Sequence, residues 1–174
     1  TTGAGLAIAD VSYDIGSRSW SGPFPPLDSP RTLVLAFGAP EFAEDPAAFE
    51  QLGQAFPNSL VVGCSTAGEV RGAEVRDHSL AVSVARFDQT DIALASLEVR
   101  SAADSFTAGQ QLAKRLSIKA GLRGVLVLSE GLNVSGTELL RGFNAVLADS
   151  VVVTGGLAGD GANFRRTWVA VGSK

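Results

Sequence analysis

Val151 to Gly161 reads Val-Val-Val-Thr-Gly-Gly-Leu-Ala-Gly-Asp-Gly, a short β-branched run that breaks into glycine and reaches a carboxylate. Leu60 to Glu69, Leu-Val-Val-Gly-Cys-Ser-Thr-Ala-Gly-Glu, has the same form. A slide of 91 positions, from Gly68 to Gly159, lays Ala67-Gly68-Glu69 on Ala158-Gly159-Asp160 and Leu60, Val61 and Val62 on Val151, Val152 and Val153. The match extends backwards without a gap, placing Val34-Leu35 on Val125-Leu126, Phe49 on Leu140, Leu52 on Phe143 and Phe56 on Leu147. Such self-similarity reads as an internal duplication of one supersecondary unit. Two glycine-rich turns would then face each other across a pseudo-two-fold axis, and that pair of turns is the candidate site.

Around the two turns the chain reads as α/β: a mixed β-sheet with helical crossovers and a duplicated strand-helix-strand unit. Thr32 to Phe37 is an apolar run of strand length. Asp45 is suited to cap a helix with Pro46 at its first position, and Phe49, Leu52, Ala55 and Phe56 form its buried stripe. The helix should place Leu60 to Gly63 parallel to the first strand. A polar loop is expected from Arg71 to Asp77. Ser79 to Phe87 and Asp91 to Val99 both alternate and predict an antiparallel hairpin around Asp88-Gln89-Thr90. A helix capped by Asp104 or Ser105 carries Phe106, Gly109, Leu112, Ala113 and Leu116. The unit then repeats, with Val125 to Leu128 as a strand and Ser135 with Glu138 as a capping box. Thr167 to Val171 lines up with Ser79 to Ser83 after a three-residue deletion. The expected domain covers 31–174, with repeats at about 32–99 and 104–172. Residues 1–30 are read as an irregular segment with one strand near Val11, Tyr13 and Ile15 and a proline-rich connector.

The chain has 174 residues, 45% of them hydrophobic and 18% charged, which is the composition of a globular domain. Its net charge of -4 argues against partners that recruit basic patches, namely nucleic acid and anionic membranes. One cysteine, Cys64, excludes an intramolecular disulfide and fits a reducing compartment. No apolar run is long enough to span a bilayer and no signal peptide is evident, so the expected location is cytoplasmic. Methionine is absent altogether, and the chain is expected to be a piece of a longer protein.

Several residues carry chemistry on paper. The run from Thr154 through Gly155 and Gly156 to Gly159 and Gly161 could present backbone N-H groups to an anion, yet it lacks the spacing of phosphate loops and no helix follows it. Its alternative is a tight turn that needs glycine. Cys64, Ser65 and Thr66 could be nucleophiles, although the surrounding pattern is not that of a nucleophile elbow. Cys64 is otherwise a small buried residue. His78 is the only histidine, so a multi-histidine metal site is excluded; beside Asp77 at the start of a strand it reads most simply as a surface histidine, while a haem ligand or a Ser-His-Asp arrangement stays open. Glu69 and Asp160, at equivalent ends of equivalent turns, could act as acid and base or hold a ligand ammonium; otherwise they are solvated turn residues. A zwitterion held between the turns would use Gly68, Gly155, Gly156 and Gly159 as backbone donors and Thr66 and Asn133 as neutral neighbours.

Phe37-Gly38, Val62 to Glu69, Leu128-Ser129-Glu130-Gly131-Leu132-Asn133 with Gly136, and Gly155-Gly156-Leu157-Ala158-Gly159-Asp160 together resemble the N-terminal part of FIST domains. The resemblance runs from about Thr32 to Val171. It implies a bacterial signal-transduction module that senses a small ligand, with amino acids among the suggestions. It also implies a C-terminal FIST region and an output domain or protein as partners. Some members are described as haem-binding nitric oxide sensors, which is one rival reading. A hydrolase using Ser65 or Cys64 is another. The expectation is a sensory domain without catalytic activity, resident cofactor or metal.

Overall fold

The computed structural model describes residues 2–3, 5–118 and 120–172, and these fall into two compact units, 1–92 with 159–174 and 93–158. In chain order the first unit contains β1 (Thr2–Gly3), β2 (Leu6–Asp14), β3 (Ser19–Trp20) and β4 (Thr32–Gly38). A 3-10 turn (Pro40–Ala43), α1 (Ala47–Ala55), β5 (Leu60–Ser65), β6 (Glu69–Arg71), β7 (Glu74–Arg76) and β8 (Ser79–Phe87) follow. The second unit supplies α2 (Ser105–Ser117), β9 (Gly124–Ser129), α3 (Gly136–Asn144) and β10 (Val152–Leu157), and the chain returns to the first unit for β11 (Val169–Val171).

The first unit is a mixed sheet in the order β1-β2-β8-β4-β5-β11, with β3 on β2. β4 and β5 are parallel, as the helical crossover requires, with Leu33 opposite Leu60 and Ala36 opposite Gly63. β8 runs antiparallel to both β2 and β4. Along β4 alternate residues are buried, and Leu80, Val82 and Val84 do the same along β8. α1 lays Phe49 and Leu52, with Phe56 just beyond its end, on this face. Asp45 accepts the Ala47 N-H at 3.2 Å, while Pro46 already has helical backbone angles. Edge-on ring contacts run from Phe49 to Phe42, Tyr13, Trp20, Phe24 and Phe56, so the segment before β4 is part of the core. The strand near Val11 and Tyr13 extends over Leu6–Asp14, pairing with β8 along its length.

Two expectations are corrected between Arg71 and Val99. Asp91 to Val99 is not the second strand of a hairpin, because both edges of β8 are already taken by β2 and β4. Its alternation has another cause: Leu97 and Val99 pack on the core of the second unit. Arg71 to Asp77 is not a loop throughout. Gly72, with φ +61°, turns β6 into β7, and Val70 lies opposite Val75 in a solvent-exposed ribbon.

The second unit is a parallel pair, β9 and β10, with α2 and α3 packed through Ala108, Ala113, Leu139 and Phe143. Ser135 caps α3 by accepting the Glu138 N-H; the Glu138 carboxylate pairs with Arg141 at 2.7 Å instead of closing the capping box. Asp104 holds the N-cap position of α2 without a side-chain cap bond: its carboxylate accepts the Ser101 hydroxyl, and a 3-10 turn leads into the helix. The strand-helix-strand order does recur. The constant offset does not, because Ala36 faces Gly63 whereas Val127 faces Gly155, so the second strand has slipped by one residue. β11 also departs from the scheme: it pairs with β5, whereas β8, its expected counterpart, pairs with β4. The duplication is therefore not established by the strand registers.

α2 and α3 cross where both carry glycine. A Cβ on Gly109 would lie 2.2 Å from Leu139 O, and one on Gly142 would lie 2.1 Å from Phe106 O. Alanine raises helix propensity by about 1 kcal/mol over glycine, yet here the backbones would have to separate. Gly142→Ala is expected to destabilise the protein by about 1–3 kcal/mol, the usual cost of overpacking. Denaturant unfolding of the variant beside the wild type measures it.

Candidate functional site

At the end of β4 and β5 in the first unit lies a cleft of about 400 Å³, into which four loops bring side chains. The loop after β4 supplies Glu41 and Glu44, the turn after β5 supplies Thr66 to Glu69, the approach to β8 supplies Asp77 and His78, and the loop after Gly159 supplies Asp160, Asn163 and Arg166. Strands that end together on one edge of a parallel pair leave their loops together, so the sheet topology itself builds the cleft.

Glu69 and Asp160 form its buried part, 3% and 5% exposed. Glu69 accepts the Thr66 hydroxyl on Oε1 at 2.8 Å, and on Oε2 it accepts the Ser79 hydroxyl at 2.9 Å and the Ser79 N-H at 3.3 Å. This fastens the turn after β5 to the start of β8. Asp160 accepts three backbone N-H groups: Phe164 on Oδ1 at 2.9 Å, and Arg165 and Arg166 on Oδ2 at 2.7 and 2.9 Å. Those N-H donors, Arg166 foremost, hold its carboxyl below the ordinary carboxylate range. Both side chains thus spend most of their acceptor capacity on the fold while placing negative charge in the cleft wall.

The other charges are nearer the surface. Arg166 Nη1 pairs with Glu44 Oε1 at 2.7 Å, and His78 Nδ1 lies 2.6 Å from Glu41 Oε1. Asp77 is exposed, with Oδ1 lying over Gly68, 3.6 Å from where a Cβ would sit. Gly159 donates its N-H to Ser65 O at 2.9 Å and comes close to Ala67.

Of the residues singled out by sequence, the cleft unites Thr66, Gly68, Glu69, His78, Asp160 and Gly161, with Gly159 alongside. Cys64 and Ser65 lie inside β5, 5% and 0% exposed. Burial pushes the Cys64 thiol up to about 11, and the Ser65 hydroxyl accepts the Trp168 N-H at 3.0 Å. Asn133, Gly155 and Gly156 belong to the other unit, where Asn133 donates its N-H to Glu130 and the two glycines line a separate cleft beside α3. Glu41, Glu44, Asp77 and Arg166 were missed by sequence reasoning. No spacing rule joins them; the one signal was Asp77-His78, which reads by itself as a polar strand entry. Among the described residues, no group of three or more His, Cys, Asp or Glu side chains could hold a metal ion, and no helix is long and apolar enough to cross a membrane.

The Asp160 clasp makes a pH prediction. A carboxyl whose folded pKa is lowered contributes stability above its unfolded value, near 4, and loses it as pH falls through the folded value. Asp160→Asn places an amide N-H₂ where N-H donors converge, so it should melt at a lower temperature than wild type at pH 7. The gap should narrow on acidification below about pH 4. Melting temperatures of both proteins between neutral and acidic pH test this, and a gap independent of pH would contradict it.

Residues 32–174 match the family model of the FIST N domain. No curated protein and no solved structure matches the chain. Since the match covers well over half of the sequence, the chain belongs to the FIST family of sensory domains implicated in signal transduction.

Proposed function

We propose that the chain is the recognition part of a signal-transduction sensor in the bacterial cytoplasm, and that the cleft of the first unit binds a small zwitterion such as an α-amino acid. One observation carries this reading: a single cleft holds several carboxylates, among them the exposed Asp77, together with one guanidinium, Arg166. An α-amino acid presents an ammonium and a carboxylate a few ångströms apart. Asp77 takes the ammonium over Gly68, and Arg166 takes the carboxylate in exchange for Glu44. Glu69 and Asp160 hold the walls and add negative charge. The binding signal passes to a C-terminal FIST region and an output domain or protein.

The reading is non-catalytic. Cys64 and Ser65, the candidate nucleophiles, are buried, and Ser65 has its hydroxyl engaged by the returning chain. A haem ligated by His78 is the weaker rival, since that ring is exposed and the cleft around it is lined by carboxylates in place of the apolar walls a haem needs.

A calorimetric and thermal-shift screen of amino acids against the protein tests the proposal, with simple amines and simple carboxylates as controls. A charged hydrogen bond contributes about 1.5–3 kcal/mol, so Asp77→Asn and Arg166→Gln should each weaken binding at least about tenfold. The amines and carboxylates alone should bind more weakly than the zwitterion. Failure of every amino acid to bind, or equal binding by both variants, would remove the cleft as the site.

A further inference from the structure

In the unit formed by residues 93–158, β9 and β10 stand as a two-stranded parallel sheet, with no further strand beside either among the described residues. Parallel sheets ordinarily carry more strands and bury both faces. Two hydrogen bonds fix which way the β10 backbone points: Val152 N-H donates to Arg123 O at 3.0 Å, and Ala158 N-H donates to Ser129 O at 2.7 Å. Even-numbered residues therefore bond towards β9. Val153, Gly155 and Leu157 turn their N-H and C=O groups to the open edge.

β5 in the other unit has the same construction, and there the edge is filled. Ser65 N-H donates to Trp168 O and Gly172 N-H donates to Val61 O, so Val61, Gly63 and Ser65 form the outward row that β11 occupies. Gly63 faces Ala36 as Gly155 faces Val127, and in both cases a Cβ would run into that partner's carbonyl oxygen. The outward rows of the two strands thus match in register, with Gly155 at φ +144° as a backbone difference between them.

Nothing guards the β10 edge. Val152 to Leu157 contains no proline, lysine or other charge, the devices that usually blunt an exposed strand. Beside it, a cleft of about 360 Å³ is lined by Val127, Leu139, Phe143 and the half-exposed Leu140 and Leu157. We propose that β10 is a strand-addition site that takes, antiparallel, an extended uncharged segment of a partner polypeptide, with the side chains facing α3 entering this cleft. The chemistry of the occupant follows from β11, whose Val169-Ala170-Val171 answers the same row on β5: two β-branched residues around a small one.

The probe is a synthetic peptide with the sequence Thr167 to Val171, flanked by lysines for solubility and titrated into the whole chain. Saturable binding is expected, with exchange of the Val153, Gly155 and Leu157 amide protons slowed at least about tenfold. Leu157→Lys and Leu140→Glu, both at exposed positions, should keep the melting temperature and weaken peptide binding at least about tenfold. Three results would overturn the proposal: no saturable binding at millimolar peptide, protection at Val61, Gly63 and Ser65 in place of β10, or unchanged binding by both variants. Protection of β10 that rises with protein concentration in the absence of peptide would do so too, by assigning the edge to a second copy of the chain.

Discussion

Ser65 is the point on which the first unit closes. Fully buried at the end of β5, it donates its N-H to Trp168 O, accepts the Trp168 N-H on its hydroxyl, and accepts the Gly159 N-H on its carbonyl. Three bonds to two points of the returning chain set where residues 159–172 run, and the loop between those points has to project beyond the strand end. Asp160 then organises that loop from within by gathering three of its N-H groups. The Trp168 indole completes the closure, stacking edge-on against Phe49 and donating to Ala39 O. A serine in a nucleophile-like context is here a fastening, and the cleft is its consequence.

Much of this was legible in the sequence because it is local. An apolar run of strand length marked β4, alternation marked β8, a β-branched run marked β5, and the Phe49, Leu52 and Phe56 stripe marked α1. Thr66, Gly68 and Glu69 are neighbours in the chain and so stay together in the cleft. What was not legible is long-range. The pattern in Asp91 to Val99 records which side is buried, and periodicity carries no information on whether a side chain is buried by strand pairing or by packing alone. Arg166 meets Glu44 across more than a hundred residues, and nothing in either local sequence announces it. The gapless alignment of the two turns overreached for a related reason: it follows residue types, whereas strand register follows close backbone contact, and Gly63 and Gly155 obey the second.

Those two glycines clarify what a recurrent glycine encodes. At each, a side chain would strike the carbonyl of the facing residue on the neighbouring strand. Gly155 also adopts φ +144°, which L side chains rarely occupy. Both are scaffold requirements. Gly68 is different in kind: the space above its Cα is occupied at ordinary contact distance by the Asp77 carboxylate. Gly68 and Gly159, the pair that the offset of 91 does superpose, are the glycines that border the charged cleft.

The division of labour among the carboxylates follows from their surroundings. A buried carboxylate that already accepts three hydrogen bonds has little acceptor capacity left, and withdrawing any of those bonds would leave a buried donor unpaired. Glu69 and Asp160 are in that position, so they are poor candidates to change partners. Exposed ion pairs such as Arg166 with Glu44 contribute little net stability, because water solvates either partner almost as well. Exchange is therefore cheapest at the rim. A ligand that recruited Arg166, as proposed, would exchange one exposed carboxylate for another, and a ligand ammonium would meet in Asp77 a carboxylate that is already exposed. In the binding proposed for this cleft, selection would rest with the exposed charges, while the buried ones set the shape of the cleft and the sign of its field.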